Sequence, residues 1–305
     1  MFSMATPEIR RGATEMTLAM LMSGTIGWFV VSSQQHLMNV VFFRCVFGGA
    51  TLLGVCAALG LLRRGLLSRR TLGLALLGGV AIVANWVLLF GAYSRASISM
   101  ATAVYHTQPF MLVALGALVF RERLTASIVG WLLLAFVGLV CVVRVEPAVL
   151  AVPGEYVEGV ALALGAAFLY AVSSIITKRL RGVPPHLIAL LQVGLGVVLL
   201  APFVHYDALP ATPAQWLDLV VLGVVNTGAM YVLLYGAIQK LPTAMTGALS
   251  FIYPVVAIVV DRIAFGQTLA WSQVLGAVLI LVAAAGVNLG WRIVPARRAI
   301  AKPGR

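Results

Sequence analysis

Apolar residues run along this chain in uninterrupted stretches of about 20, separated by short polar breaks rich in Arg, Gly and Pro. A stretch of that length crosses the ~30 Å hydrocarbon layer of a bilayer as a helix. The runs predict ten spans, at 16–33, 38–62, 71–94, 97–120, 125–143, 159–178, 186–204, 216–239, 243–260 and 270–291. The two longer connections, 144–158 and 205–215, contain prolines but no apolar run, and read as loops. A transmembrane barrel would instead alternate apolar and polar residues in short segments. The expected fold class is therefore an all-α polytopic membrane protein.

Charge orients the spans. If the N-terminus is cytoplasmic, 17 of the 21 Lys and Arg fall on the inner side. Arg95, Arg144 and Arg262 fall on the outer side, and Arg44 lies inside the second span. The positive-inside rule then places both termini in the cytoplasm of a multi-pass inner-membrane protein. Topology thus accounts for the net charge of +12, and no nucleic-acid partner is implied. The first apolar run is too long for a signal-peptide core and more spans follow it, so no cleaved signal is expected. With 62% hydrophobic and 10% charged residues, the 305-residue chain is far from a soluble domain, which carries ~25% charged residues. Cys45, Cys56 and Cys141 all fall within apolar runs, which argues against a disulfide framework.

The halves repeat. VLLFGAYSRA at 87–96 aligns with VLLYGAIQKL at 232–241, a shift of 145 that also brings Pro109 onto Pro254 and FRERL at 120–124 onto FGQTL at 265–269. With a small change of register, FVVSS at 29–33 matches YAVSS at 170–174. An odd number of spans per half turns the second half over, giving two inverted five-helix repeats, 1–144 and 145–305. In secondary transporters such repeats enclose a substrate site near the midplane.

Several passages carry a family resemblance: Arg44 in VVFFRCVFGG, VLLFGAYSRASIS between spans 3 and 4, the helix-breaking TQPFM and IYPVV, and the FRERLT turn. On these the chain resembles the drug/metabolite transporter superfamily, in particular its EamA-type exporters, including the aromatic amino acid exporter kind. The resemblance covers almost the whole chain. It implies that spans 1–4 and 6–9 surround a central cavity and that spans 5 and 10 are peripheral.

The candidate substrate-binding residues are those that could face this cavity. Trp86, Phe90 and Tyr93 follow i, i+4, i+7 spacing on span 3, and Tyr231 and Tyr235 occupy the repeat-equivalent positions on span 8. Such aromatics either line the cavity or fill helix contacts. Pro109 frees a carbonyl near Tyr105, and Pro254 repeats the device beside Ser250 and Tyr253, so both prolines are candidate helix-breaking or gating positions. His106 could shuttle a proton or simply bond a neighbouring helix. Trp28, Asn85, Tyr170, Gln192 and Asn226 are further isolated polar or aromatic candidates. Arg44 could snorkel to the outer interface, brace backbone carbonyls or bind a substrate carboxylate.

Absences narrow the function. No Asp or Glu lies deep in a span, which disfavours a carrier of permanent cations. One buried basic residue is too few for a sugar-phosphate or nucleotide-sugar carrier. A small neutral or zwitterionic solute remains, with amino acids, aromatic or otherwise neutral, first in line. The same lack of buried acids points to a facilitator or weakly coupled exporter. No catalytic constellation, cofactor motif or metal-ligand cluster is visible. The expected partners are the small-molecule substrate and the bilayer; nothing indicates an oligomeric partner, and a monomer fits. A multidrug or hydrophobic-compound exporter is the first alternative, and a membrane receptor or membrane-embedded enzyme the second.

Overall fold

A computed structural model describes residues 6–63, 65–96, 98–142, 153–266 and 270–292. Its spans are α1 (Pro7–Ser32), α2 (Leu37–Ala58), α3 (Arg69–Ala96), α4 (Ala101–Phe120), α5 (Ala126–Val142), α6 (Pro153–Arg179), α7 (Pro185–Phe203), α8 (Pro213–Lys240), α9 (Thr243–Ala264) and α10 (Trp271–Leu289). Among the described residues, nine helices are long and apolar enough to cross a bilayer. The 17-residue, apolar α5 lies at the short end of the spanning range.

Three helices begin three or more residues ahead of their apolar runs. In α1, the Thr6 hydroxyl caps the Ile9 amide, and Pro7 and Glu8 occupy the first turn. In α8, Thr212 and Gln215 form a capping box ahead of Pro213. α6 starts at Pro153 with Glu155 in its first turn. Residues 153–158 are therefore helical rather than loop, because a proline and an acid at a helix start are favourable yet polar. The rest of that predicted loop, and the 144/145 repeat boundary, lie outside the described residues.

The packing obeys the repeat. α3 packs along α6 as α8 packs along α1; α3 meets α7 as α8 meets α2; α4 meets α6 as α9 meets α1. The pairs α2–α7, α4–α9 and α5–α10 map onto themselves. Exchanging the two halves thus maps these six relations onto one another, as in an inverted repeat with a pseudo-two-fold axis. Local details follow it as well. α4 and α9 both end on left-handed residues, Arg121 (φ 55°) and Gly266 (φ 66°), which are 145 positions apart. α5 and α10 cross where Gly138 and Gly276 touch, and a Cβ on Gly138 would lie 2.7 Å from the Gly276 carbonyl oxygen. Backbones this close admit only glycine. We expect Gly138→Val to cost about 1–3 kcal/mol by overpacking, read as a lower thermal midpoint; an unchanged midpoint would refute this crossing.

Four spans are interrupted. α1 breaks at Thr25, α4 at His106–Thr107 and α9 at Phe251; α8 contains a π-helical segment over Val224–Ala229. The α4 and α9 breaks are repeat-equivalent and precede Pro109 and Pro254, each of which lacks the amide that would have bonded the carbonyl four residues back.

Candidate functional site

Between the halves lies a cavity of about 490 Å³. The C-terminal half of α1, the start of α2, the end of α3 and the start of α4 form one wall; α6, α8 and α9 form the other. Its lining reaches Val31, which is 57% exposed, and Leu37, at the end of α1 remote from the N-terminus and the start of α2.

Aromatic rings from both repeats build the walls. Trp86 meets Tyr231 edge-on at 6.1 Å, and Tyr231 meets Tyr235 edge-on at 5.3 Å. Tyr105 and Tyr170 stand edge-on at 6.1 Å, while Phe90 tilts against Tyr93 at 5.8 Å. Edge-on pairs hold each ring by its quadrupole, so the wall is stiff as well as apolar. The carboxylates of the described residues do not line the cavity, and Arg44 is its one cationic lining residue.

The sequence-predicted residues divide into two groups. Arg44, Trp86, Phe90, Tyr105, Tyr170, Tyr231, Ser250 and Tyr253 line the cavity, as do Tyr93 and Thr102. Asn85, His106, Tyr235, Pro109 and Pro254 are buried outside its lining. Asn85 donates to the Ala166 carbonyl at 2.7 Å and to the Tyr105 hydroxyl at 3.3 Å, so it holds a lining ring from behind. His106 stacks on Tyr253 at 5.6 Å and its Nδ1 lies 2.8 Å from the Thr102 carbonyl, which makes Nδ1 the protonated nitrogen. The Tyr235 hydroxyl donates to Gln192. Pro109 packs against Gly247. Trp28, 41% exposed, stacks on Phe29 away from the lining. The Asn226 side chain donates to the Met22 carbonyl (2.7 Å) and the Thr25 hydroxyl (3.0 Å), fastening the π segment of α8 to the break in α1.

Gln108 was absent from the sequence-derived set. It is 5% exposed, lines the cavity and donates from Nε2 to the Ser250 hydroxyl at 3.3 Å, across the repeat interface. Its repeat counterpart is Tyr253, already a candidate, and that correspondence was the available signal.

At the helix ends on the N-terminal side, ion pairs join the two repeats. Lys178, at the end of α6, lies 2.7 Å from Glu122 and donates to the Leu241 carbonyl at 2.8 Å. The other Glu122 oxygen accepts from the Thr243 amide at 2.9 Å and from its hydroxyl, tying the α4–α5 turn to the start of α9. Nearby, Lys240 pairs with Glu15 at 2.6 Å and so joins α8 to α1. Burial would raise the Glu122 carboxyl, but the bonds from Lys178 and Thr243 and the Lys178 charge outweigh it and hold it below the usual carboxylate range. A carboxyl depressed on folding contributes stability that is present above its unfolded pKa and is lost as pH falls through the folded value. Acidification below the ordinary carboxylate range should therefore loosen this junction, and Glu122→Gln should do so at neutral pH.

The measurement is thiol accessibility at Thr177→Cys, with Cys45, Cys56 and Cys141 replaced by alanine. Thr177 is fully buried next to Lys178. Glu122→Gln should speed its modification by an impermeant reagent about tenfold; an unchanged rate would show that the pair does not hold the junction.

The comparisons with known proteins agree with this architecture. Residues 11–144 and 157–289 each match the EamA-like transporter family. The chain is 30% identical over 283 residues to "Uncharacterized transporter YxxF" of Bacillus subtilis (strain 168), covering 91% of this chain and 89% of that protein. An "Uncharacterized transporter" of Archaeoglobus fulgidus is 27% identical over 93% of this chain and 97% of its own length. A "Probable amino-acid metabolite efflux pump" of Salmonella typhimurium (strain LT2) is 28% identical over 60% of this chain and 64% of its own. A solved crystal structure superposes with a TM-score of 0.78 at 21% identity, over 91% of this chain and 96% of that one, which is a likeness of fold.

Proposed function

Because the chain belongs to the EamA-like transporter family, and is thus a multi-pass membrane transporter, we propose that it exports small neutral or zwitterionic metabolites, amino acids with aromatic or other neutral side chains first among them. The observation that carries this reading is the cavity between the repeats, walled by aromatic rings from both halves and lined by no carboxylate among the described residues. Apolar side chains gain by leaving water for such a wall. A permanent cation would find no counter-charge in it.

The reading places the protein in the inner membrane with both termini cytoplasmic, on the strength of the Lys and Arg distribution. The Val31–Leu37 end of the cavity then faces outward, and the Glu122–Lys178 pair faces the cytoplasm. Transport would exchange this arrangement for its mirror across the pseudo-two-fold axis. The 1–144 and 145–305 units are the bodies that would exchange roles. The chain performs no chemistry on its substrate and needs no cofactor; it acts as a facilitator or weakly coupled exporter.

The test is efflux of labelled tryptophan, phenylalanine, threonine and a cationic dye from loaded proteoliposomes. Release of the amino acids without the dye supports the proposal. Dye release without amino-acid release replaces it with multidrug export, and release of nothing returns the protein to the receptor or enzyme class. Counterflow that strictly required an imposed pH gradient would contradict facilitation.

A further inference from the structure

Arg44 lies seven residues into α2, ~10 Å along a helix that rises 1.5 Å per residue, and is 5% exposed. A guanidinium carries five N–H donors. Nε donates to the Thr227 hydroxyl at 3.0 Å, and Nη2 makes a long contact of 3.5 Å to the Asn226 carbonyl. The Thr227 hydroxyl spends its own proton on the Leu222 carbonyl at 2.9 Å, so it is committed to accepting from Arg44. The π segment of α8 thus supplies both partners. Trp86 lies under the guanidinium, its ring centroid 5.2 Å from Cζ. These contacts fix the plane and the direction of the fork.

They do not neutralise it. Among the described residues Nη1 makes no hydrogen bond, and no acid pairs with Arg44; Glu15, Glu122 and Glu158 are held at helix ends by Lys240, Lys178 and Arg95. A cation this deep without a counter-ion is costly unless an anion joins it. Arg44 also lines the cavity, so an anion that enters can reach it.

We propose that Arg44 anchors a substrate carboxylate, and that the substrate class is small monocarboxylates bearing an aromatic or branched apolar group. This rests on the transporter reading above, narrows its solutes to those bearing a carboxylate, widens them from zwitterions to the corresponding anions, and gives their orientation. The carboxylate takes the open side of the Nη1/Nη2 fork, a planar bidentate match. The apolar group lies along the Trp86–Tyr231 wall. With the acid docked the site is electrically neutral. An α-ammonium then has only neutral acceptors, such as Gln108 Oε1, which is buried, lacks a partner and belongs to a cavity-lining residue. The amino group is therefore tolerated rather than required. Amino acids and their deaminated carboxylates both fit, and amines without a carboxylate are repelled by Arg44.

The experiment uses purified full-length protein and four probes at neutral pH: phenylalanine, 3-phenylpropionate, phenylalaninamide and phenethylamine. Each competes against labelled phenylalanine in counterflow, and each is also tested for thermal stabilisation of the protein in detergent. 3-Phenylpropionate should compete at least as well as phenylalanine, and the amide and amine at least about tenfold more weakly, the loss expected when a charge-assisted pair is removed. In Arg44→Gln the acid and the amide should become equal, while Arg44→Lys should keep part of the preference. An amide or amine within about twofold of the acid in the wild type overturns the proposal, as does acid preference that survives in Arg44→Gln. The wild-type series decides even if the variants fail to fold. If the acids stabilise the protein and no probe moves, the anchor stands and the transport reading fails; if none of the four binds, both fail.

Discussion

Lys178→Met lowers stability by about 3 kcal/mol, the low end of the range for breaking one side of a buried ion pair. The size of the effect comes from what is left behind. Lys178 and Glu122 are 7% and 17% exposed, so the remaining carboxylate cannot fully recover water. It keeps only the Thr243 amide and hydroxyl, and the Leu241 carbonyl loses its donor. Adding Glu122→Gln removes the orphaned charge, so the double variant should regain part of the loss. Thermal unfolding of the wild type, both single variants and the double variant closes the cycle. Additive losses would show that the two side chains do not act as a pair.

The second large effect concerns the cavity wall. Tyr231→Ala reduces transport about 10- to 100-fold, the equivalent of ~1.4–3 kcal/mol at the transport step. The Tyr231 ring is 4% exposed and is the shared member of two edge-on pairs, with Trp86 and with Tyr235. Its loss removes wall area and frees the Trp86 ring, on which the Arg44 guanidinium rests. Tyr231→Phe preserves the ring contacts and should keep most of the activity. Initial rates normalised to inserted protein distinguish the outcomes; equal rates for Ala and wild type would remove Tyr231 from the pathway.

The sequence reading reached most of the architecture because a bilayer imposes simple rules. Ten apolar runs are hard to overlook, and the 145-residue shift relates features as local as the caps at Arg121 and Gly266. Helix starts were less legible. Pro7, Pro153 and Pro213 begin helices with polar or charged residues, which hydropathy alone discounts. The site was legible by face but not by depth. Thr102, Tyr105, His106 and Pro109 share a face of an unbroken helix, yet the chain breaks at His106–Thr107, and only Thr102 and Tyr105 line the cavity. The π segment in α8 carries no proline to announce it, so the contacts of Arg44 with Asn226 and Thr227 could not be read from spacing. Gln108 was overshadowed by the proline beside it.

The central claim is that the aromatic cavity between the two repeats is a substrate site exposed alternately to the two sides of the membrane. Counterflow of labelled phenylalanine into proteoliposomes loaded with unlabelled phenylalanine tests it most directly, since accumulation of label driven only by the outflow of unlabelled substrate requires a site that reorients while occupied. The account predicts transient accumulation that saturates with substrate and falls at least about tenfold in Tyr231→Ala. Counterflow no greater than in protein-free vesicles, or equal in wild type and Tyr231→Ala, would contradict it.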